Sequence, residues 1–352
     1  MKHSIFLLLL IAGGLRAEIG IVAHPGVDCS AGTTTVWTGA MQAAFDRMLG
    51  AKSSMTLERV EPPNPLVTKM AGFSWKEVEV LPKDGWFAVT GEASEKLMDE
   101  ANQKWQALAG AGPMPFKYNG SAGGRAAYVG MKRDFLFKLA FSPSGASRLS
   151  WGREKTPVRF FGARGDVAGD YSGSVRVLAY RPLERCMALQ LPAKVGDDTL
   201  VLYQPAEAQP MIEAMRWVKT WRQGWDKHEG ENLDWNDKVL HQMDDLRVPE
   251  ISLKGHADFS NDFKGMFHFK DAKIPYLVSQ AVTDMKLEID GFGVKFEATA
   301  EMQVDPFASD ARKSPVPRKF WFDRPFFAFL WRDGAEWPYA AVWFGTAEGL
   351  VK

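Results

Sequence analysis

The chain has 352 residues, of which 46% are hydrophobic, and its 43 basic and 43 acidic residues give a formal net charge of zero. Such a chain can bury a large core, and the lack of any run of like charge argues against a nucleic-acid or anionic-membrane partner. Residues 1–17 combine Lys2, an apolar run from Ile5 to Ile11 and small residues before Ala17, a pattern typical of a secretory signal peptide. We therefore expect a secreted or periplasmic protein in which residues 18–352 form one domain. No later stretch predicts a membrane span.

The two cysteines, Cys29 and Cys186, leave two alternatives open. In an oxidising compartment they could form a disulfide, which would stabilise the protein by a few kcal/mol in the chain-entropy model. They could equally be two independent buried thiols. Acidic and histidine residues lack the spacing of a metal site, so we expect neither a metal nor a cofactor.

Hydrophobic periodicity predicts three helices. The first runs from Thr33 to Leu49, where apolar residues form a helical stripe that ends before a glycine. Ser94 is expected to cap a second helix that extends to about Leu108, and Pro210 opens a third that extends to about Trp221. The prolines between Glu61 and Val67 predict a loop.

Alternating or aromatic segments predict a run of strands. They are Trp86–Thr90, Phe135–Phe141, Val158–Phe161, Val175–Tyr180, Met187–Leu191, Thr199–Tyr203 and Leu246–Leu253. Because helices are interspersed with antiparallel strands, without a repeat or a linker, the pattern indicates a single α+β domain.

The longest alternating pattern lies near the C-terminus. From Phe292 to Val304 the even positions are apolar while the odd positions are small or polar, which predicts a strand with one buried face. Leu287 and Ile289 alternate before it, and Asp290-Gly291 favours a tight hairpin turn between the two runs. A loop from Pro306 to Arg318 and two aromatic strands follow, at Phe326–Trp331 and Tyr339–Phe344.

A set of segments in the C-terminal half resembles the serpin family. The segments, in chain order, are Met187–Pro192, Thr199–Pro205, Arg247–Ile251, Leu277–Val282, Lys286–Asp290, Phe296–Ala300, Phe322-Asp323-Arg324-Pro325-Phe326, Phe327–Leu330 and Phe344-Gly345. The resemblance extends from Val175 to Lys352 and is weaker before that. It implies a serpin-like α+β fold with large mixed or antiparallel sheets and surrounding helices. It also implies a monomer that is not an enzyme.

The resemblance further implies a reactive loop at about residues 292–318. In serpins a protease cleaves this loop, whose N-terminal part then inserts into a sheet as a new strand. The matching hinge residues are Gly293, Val294, Lys295, Phe296, Glu297, Ala298, Thr299 and Ala300. Insertion requires apolar side chains at alternate positions, and the even positions supply them. Phe296 is bulkier than the residues that inhibitory serpins prefer there.

Two positions are candidates for the bond that the protease would cleave. Counting forward from Gly293 by the usual loop length leads to Phe307-Ala308, which suits a chymotrypsin-like enzyme. Counting back from Phe322 leads to Ser314, just after Arg312-Lys313, which suits a trypsin-like enzyme. The partner implied is an extracellular or periplasmic protease.

Two functions therefore remain open. The first is inhibition of a serine or cysteine protease by loop cleavage and strand insertion. The second is a non-inhibitory serpin-fold binding or structural protein, in which residues 292–304 form a permanent strand. Alternation by itself favours the permanent strand, and only the resemblance implies insertion.

Overall fold

The computed structural model describes residues 19–49, 55–118, 124–227, 238–270, 272–295 and 317–352. Within these ranges the helices are α1 (Gly39–Met48), α2 (Pro65–Ala71), α3 (Glu77–Val80), α4 (Glu95–Ala109), α5 (Met211–Asp226) and a 3-10 helix (Gly165–Tyr171). No helix of the described residues is long and apolar enough to cross a membrane.

Most of the remaining described chain is β-structure. The strands are β1 (Ile19–Val22), β2 (Thr34–Thr38), β3 (Leu57–Glu61), β4 (Trp86–Glu92), β5 (Arg125–Met131), β6 (Phe135–Leu136), β7 (Ser142–Pro143), β8 (Leu149–Trp151), β9 (Thr156–Val158), β10 (Phe160–Arg164), β11 (Arg176–Arg181), β12 (Cys186–Pro192), β13 (Asp198–Gln204), β14 (Asp245–Pro249), β15 (Ile251–Asp258), β16 (Met266–Phe269), β17 (Val282–Ile289), β18 (Gly293–Lys295), β19 (Lys319–Trp321), β20 (Phe326–Arg332) and β21 (Ala340–Phe344). Separate helices with mainly antiparallel strands make this an α+β fold, as the sequence predicted.

The largest sheet has seven strands in the order β1-β2-β21-β20-β13-β12-β11. All its neighbours are antiparallel except β1 and β2. Its centre is aromatic: Phe327 and Trp343 are almost fully buried, and their ring centroids are 4.5 Å apart. Such continuous apolar strands are typical of a sheet that is covered on both faces.

Two four-stranded sheets lie in the orders β15-β17-β18-β6 and β19-β14-β10-β7. In the second, a Cβ atom at Gly162 would collide with the backbone carbonyl of Leu246, so the close approach of β10 and β14 depends on glycine at this position. The three remaining sheets are the pairs β4-β5, β3-β16 and β8-β9.

The N-terminal helix prediction is wrong over its first third. Residues 34–38 form strand β2, and α1 begins only at Gly39. Thr34, Thr35 and Val36 are β-branched and favour extended backbone, and pairing with β21 through Val36 and Val342 buries them in the seven-stranded sheet. A helical stripe of apolar residues could not distinguish this strand from a first helical turn.

Other boundaries follow from local chemistry. Asn64 accepts hydrogen bonds from the backbone amides of Leu66 and Val67, so α2 begins inside the predicted proline loop. Ser94 caps α4 by accepting from the Leu97 amide at 3.2 Å, as predicted. The predicted strand at 135–141 is shortened to β6, and that at 246–253 is divided into β14 and β15.

The two cysteines are thiols and do not form a disulfide. Cys29 is buried, and burial raises the pKa of its thiol to about 12. Cys186 starts β12, close to the Tyr203 hydroxyl. The alternative of two independent thiols is therefore the one that the structure contains.

Candidate functional site

A tight turn joins β17 to β18. The Asp290 amide donates to the Gly293 carbonyl at 3.0 Å, and the Asp290 side chain accepts from the Phe292 amide at 2.9 Å. The Phe141 amide donates to the Gly291 carbonyl, and a Cβ atom at Gly291 would lie 2.6 Å from the Phe141 carbonyl oxygen. The predicted Asp-Gly turn is therefore confirmed, and glycine is required because another backbone approaches it closely.

After this turn the chain lies between two strands. Val294 pairs antiparallel with Ile289 of β17 on one side and with Phe135 of β6 on the other. A Cβ atom at Gly293 would collide with the Phe135 carbonyl oxygen. Two of the predicted hinge residues, Gly293 and Val294, are thus held inside a sheet by backbone hydrogen bonds.

The buried face of β18 has the phase that the alternation predicted. The Val294 side chain is 1% exposed, as is that of its neighbour Ile289. Phe292, although it belongs to the same alternating run, is 54% exposed because it lies in the turn. Val294 is the even position of β18 that the structure describes, and it faces the core as predicted; the strand begins one residue later than expected.

The strands on either side of β18 extend well beyond it. β17 pairs with β15 through all eight of its residues, but with β18 only through Glu288 and Ile289. β5, which precedes β6 in the chain, pairs with β4 through all seven of its residues. Among the described residues, the second edge of β5 and that of residues 282–287 have no strand partner.

A cavity of about 880 Å³ lies between these two edges. Residues of α1 form one of its walls, including the small side chains Ala40 and Ala44 together with Met41 and Met48. Residues 125–129 of β5 and residues 282–284 of β17 line it, with the segment 274–281 and the rings of Phe263, Phe267 and Phe269. Its volume and largely apolar lining are typical of a site that accepts an apolar group.

Helix α4 packs on β4 and β5, the pair that borders the cavity. A Cβ atom at Gly130 of β5 would contact the Trp105 ring of α4, so helix and strand lie close together here. Asn102 is buried and bonds the backbone of Phe116 twice, through a donor at 3.1 Å and an acceptor at 3.2 Å. This clamp fixes the segment after α4, whose residues 115–118 also line the cavity.

The acidic side chains of Glu250 and Asp284, near opposite ends of β17, differ in how far they are buried. Burial raises the pKa of the Glu250 carboxyl, opposed by Arg159, whose guanidinium lies 3.1 Å away. The charge of Asp290 adds to the increase in pKa. At the far end of β17, His256 and Asp284 pair at 2.8 Å and are exposed.

A buried ion pair joins Arg318, near the start of the described range 317–352, to Asp244. The Arg318 guanidinium donates to the Asp244 carboxylate at 2.8 Å, and the Arg318 amide donates to the same carboxylate at 2.9 Å. Asp244 is fully buried and Arg318 is 9% exposed. The next residues form β19, in which the Lys319 amide donates to the Tyr180 hydroxyl at 3.2 Å.

The remaining predicted residues lie outside the described chain. These are the hinge residues Phe296, Glu297, Ala298, Thr299 and Ala300, the candidate cleavage residues Phe307, Ala308, Arg312, Lys313 and Ser314, and the signal peptide at 1–17. Their roles stay predictions. The backbone of Lys295 pairs with that of Glu288 in β18.

Sequence reasoning missed the cavity and the two buried polar clamps. Ala40 and Ala44 are four residues apart and share one face of α1, a spacing that was available as a signal of a small-residue surface. The Asn102–Phe116 clamp and the Asp244–Arg318 pair join residues 14 and 74 positions apart. No local pattern marks such contacts.

No protein-family model and no curated protein sequence matches the chain. In a comparison with solved structures it is similar to human thyroxine-binding globulin in complex with thyroxine, at 15% identity over 75% of this chain and 76% of that one, with a TM-score of 0.46. It is also similar to a serpin from Schistosoma mansoni, at 13% identity over 72% and 64% of the two chains, with a TM-score of 0.40. A third match is tengpin, a thermophilic serpin in its native state, at 10% identity over 72% and 64%, with a TM-score of 0.43. All three are serpins, the family that the sequence resembles.

Proposed function

We propose that the chain is a secreted, single-domain serpin-like protein that inhibits a serine or cysteine protease by loop cleavage and strand insertion. The observation that carries this proposal is the position of β18, whose residues lie antiparallel between β17 and β6. A strand that continued from β18 in the same direction would pair with β17 on one side and with β5 on the other.

The register of β18 makes the proposal specific. Val294 is opposite Ile289 and Lys295 is opposite Glu288, so an antiparallel extension sets Ala298 opposite Met285 and Ala300 opposite Thr283. Residues directly opposite share one face of a sheet. Met285 packs partly against the core, and Thr283 lines the cavity. The apolar even positions would therefore enter the protein and the polar odd positions would stay outside.

Phe296 would then lie opposite Leu287, at the end of the space between β5 and β17 that is nearest the β17–β18 turn. Leu287 is 3% exposed, so this end is already closely packed. A bulky side chain entering a packed region costs about 1–3 kcal/mol. We expect Phe296 to slow insertion, while the alanines that follow meet the cavity.

The alternative function is that of a non-inhibitory binding or structural protein. One observation favours it: the turn and β18 are already hydrogen-bonded to β6 and to the Phe137 and Phe141 amides. A strand held on both sides is also what a permanent element requires.

Incubation of the mature protein with chymotrypsin-like, trypsin-like and elastase-like proteases tests the proposal. We expect a complex that survives denaturing electrophoresis, together with a loop-cleaved form of higher thermal stability than the intact protein. Cleavage that yields neither a complex nor a gain in thermal stability would support the non-inhibitory alternative.

A matched pair of variants tests the phase of insertion. Ala298→Arg places a charge on the face that would enter the protein, whereas Thr299→Arg places the same charge on the opposite face. We expect Ala298→Arg to be cleaved without a complex and Thr299→Arg to form the complex. Equal behaviour of the two variants would contradict insertion in this register. Phe296→Ala is expected to increase the fraction of protease that is trapped.

We also propose that residues 1–17 direct export and are removed, and that the product is a monomer. N-terminal sequencing of secreted protein and sedimentation of the purified product test these points. Retention of Met1 in exported protein would contradict the first, and a dimer would contradict the second.

A further inference from the structure

Two hairpin turns bring cationic side chains to one place on the surface. The β8–β9 turn contains Lys155, and the β11–β12 turn contains Arg185. The Gly152 amide donates to the Asp323 carbonyl at 2.7 Å, which places the first turn against the Asp323-Arg324 segment. The charge of Arg185 acts on both Asp323 and Arg324, so the second turn lies at the same segment.

This surface carries an excess of positive charge. Across the two turns, the adjoining Arg181 at the end of β11 and the Asp323-Arg324 segment there are five cationic residues and three acidic ones, an excess of two in a chain of zero net charge. They are Arg153, Lys155, Arg181, Arg185, Arg324, Glu154, Glu184 and Asp323. Glu184 is paired with Arg181 at 2.9 Å, and burial raises the pKa of the Asp323 carboxyl. In the described structure, Lys155 and Arg185 are exposed and make no ion pair within 4 Å.

Both of these cations occupy a backbone conformation that favours glycine. The φ angle is 56° at Lys155 and 54° at Arg185, and a left-handed residue with a long side chain is uncommon. Glycine or asparagine would fit either turn with less strain. Beside Arg185, the Leu183 side chain is fully exposed at the tip of its turn. An apolar side chain flanked by cations is a combination suited to a protein contact.

The surface lies next to β19, near the start of the described range 317–352. The Lys319 amide donates a hydrogen bond to the Tyr180 hydroxyl, and the ring centroids of Tyr180 and Phe320 are 4.7 Å apart. Leu183 follows Tyr180 by three residues, which span at most about 11 Å. Ser314 precedes Arg318 by four residues, which span at most about 14 Å. A protease domain of about 220 residues has a radius of gyration of roughly 17 Å, so a protease bound near Ser314 would reach this surface.

We propose that Lys155, Leu183 and Arg185 form a secondary docking surface for the target protease, and that this protease presents an acidic, partly apolar patch beside its active site. This inference rests on the proposed function for the identity of the partner. Cationic residues at the rim of an interface act mainly on the rate of association. The surface would thus select among proteases that share one cleavage specificity.

Anionic and cationic isoforms of trypsin test the proposal, because they share a cleavage specificity and differ in surface charge. The measurement is the second-order rate constant for cleavage at Arg312 or Lys313, followed by mass spectrometry at several salt concentrations. Lys155→Asn with Arg185→Asn removes both charges and keeps residues that accept a positive φ, so folding is expected to persist. Lys96→Gln with Lys104→Gln removes two charges from α4 as a matched control. Leu183→Asp tests the apolar tip.

For the anionic isoform we expect roughly a tenfold lower rate constant in the Lys155/Arg185 variant at low salt, with a weaker salt dependence. The cationic isoform and the α4 control are expected to change less than twofold. Equal losses with both isoforms, or no loss with either, would overturn the proposal. Loss of binding to heparin-coated beads with unchanged protease rates would also overturn it, because the surface would then recognise a polyanion.

The readout separates this inference from the proposed function. If cleavage occurs without a covalent complex but retains the difference between isoforms, the inhibitory function fails and the docking surface stands. If a complex forms at rates that do not depend on Lys155 or Arg185, the docking surface fails and the inhibitory function stands.

Discussion

Replacement of Asp244 by alanine tests the contribution of the buried Asp244–Arg318 ion pair to stability. The Asp244 carboxylate accepts from the amides of Arg318 and His241 and from the Arg318 guanidinium at 2.8–3.3 Å. Because Asp244 is fully buried and Arg318 is 9% exposed, the variant leaves a buried cation without its counter-charge. Removing one partner of such a pair costs about 3–5 kcal/mol.

The effect on thermal unfolding follows from the size of the chain. Unfolding entropy is about 2.1 cal/mol/K per residue, so a mature chain of about 335 residues loses about 6 °C in Tm for a loss of about 4 kcal/mol. Asp245→Ala is the matched control, since the neighbouring carboxylate pairs with Arg247 at 2.7 Å and both side chains are partly exposed. That pair is expected to contribute less than about 1 kcal/mol.

Urea unfolding followed by tryptophan fluorescence and a thermal scan by circular dichroism measure both variants. We expect the double variant Asp244→Leu with Arg318→Met to recover most of the loss, because it removes both charges from the interior. If Asp244→Ala and Asp245→Ala had equal midpoints, the buried pair would not stabilise this end of the chain and the argument would be refuted.

Three further predictions concern the turn, the clamp and the thiols. Gly293→Ala is expected to lower the free energy of unfolding by about 2 kcal/mol, because its Cβ meets the Phe135 carbonyl. The control Gly112→Ala, whose Cβ meets no atom within 4 Å, should change the free energy of unfolding by less than about 1 kcal/mol. Equal losses in the two variants would contradict the close approach of Gly293 to Phe135. Asn102→Ala removes both bonds to Phe116, so limited proteolysis should cut residues 110–118 at least several times faster than in the parent, and unchanged cleavage would show that the clamp does not hold this segment. Burial raises the pKa of Cys29 to about 12, so the unfolded state releases this proton above its own pKa near 9 while the folded state retains it. Stability should therefore fall above pH 9 by up to about 1.4 kcal/mol per pH unit, and Cys29→Ala should remove this part of the decline in the urea midpoint; an unchanged alkaline decline would contradict the assignment.

Local pattern and turn chemistry predicted several elements correctly. The aromatic strands β20 and β21 were predicted from their residue types. The Asp290-Gly291 turn and the Ser94 cap each depend on hydrogen bonds between neighbouring residues in the chain. In each case the determining interactions span only a few positions, so a sequence window contains all the information that is needed. The buried phase of Val294 belongs to the same group, because alternation determines which residues share a face.

The partner with which each strand pairs could not be predicted from short sequence windows. Thr34–Thr38 became a strand because β21, about 300 residues later, was there to pair with it. The cavity between β5 and β17 likewise depends on packing of segments that are distant in the chain. Apolar periodicity identifies a buried face but not the element that covers it.

The sequence alone therefore predicted that the chain turns back at Asp290-Gly291 and that Val294 lies on the buried face of the strand that follows. Only the tertiary structure decided that this strand begins between β17 and β6, that a cavity lies between β5 and β17, and that Arg318 pairs with Asp244. The physical reason is range: alternation and turn formation depend on adjacent residues, whereas strand order, cavities and buried ion pairs depend on contacts between residues tens to hundreds of positions apart.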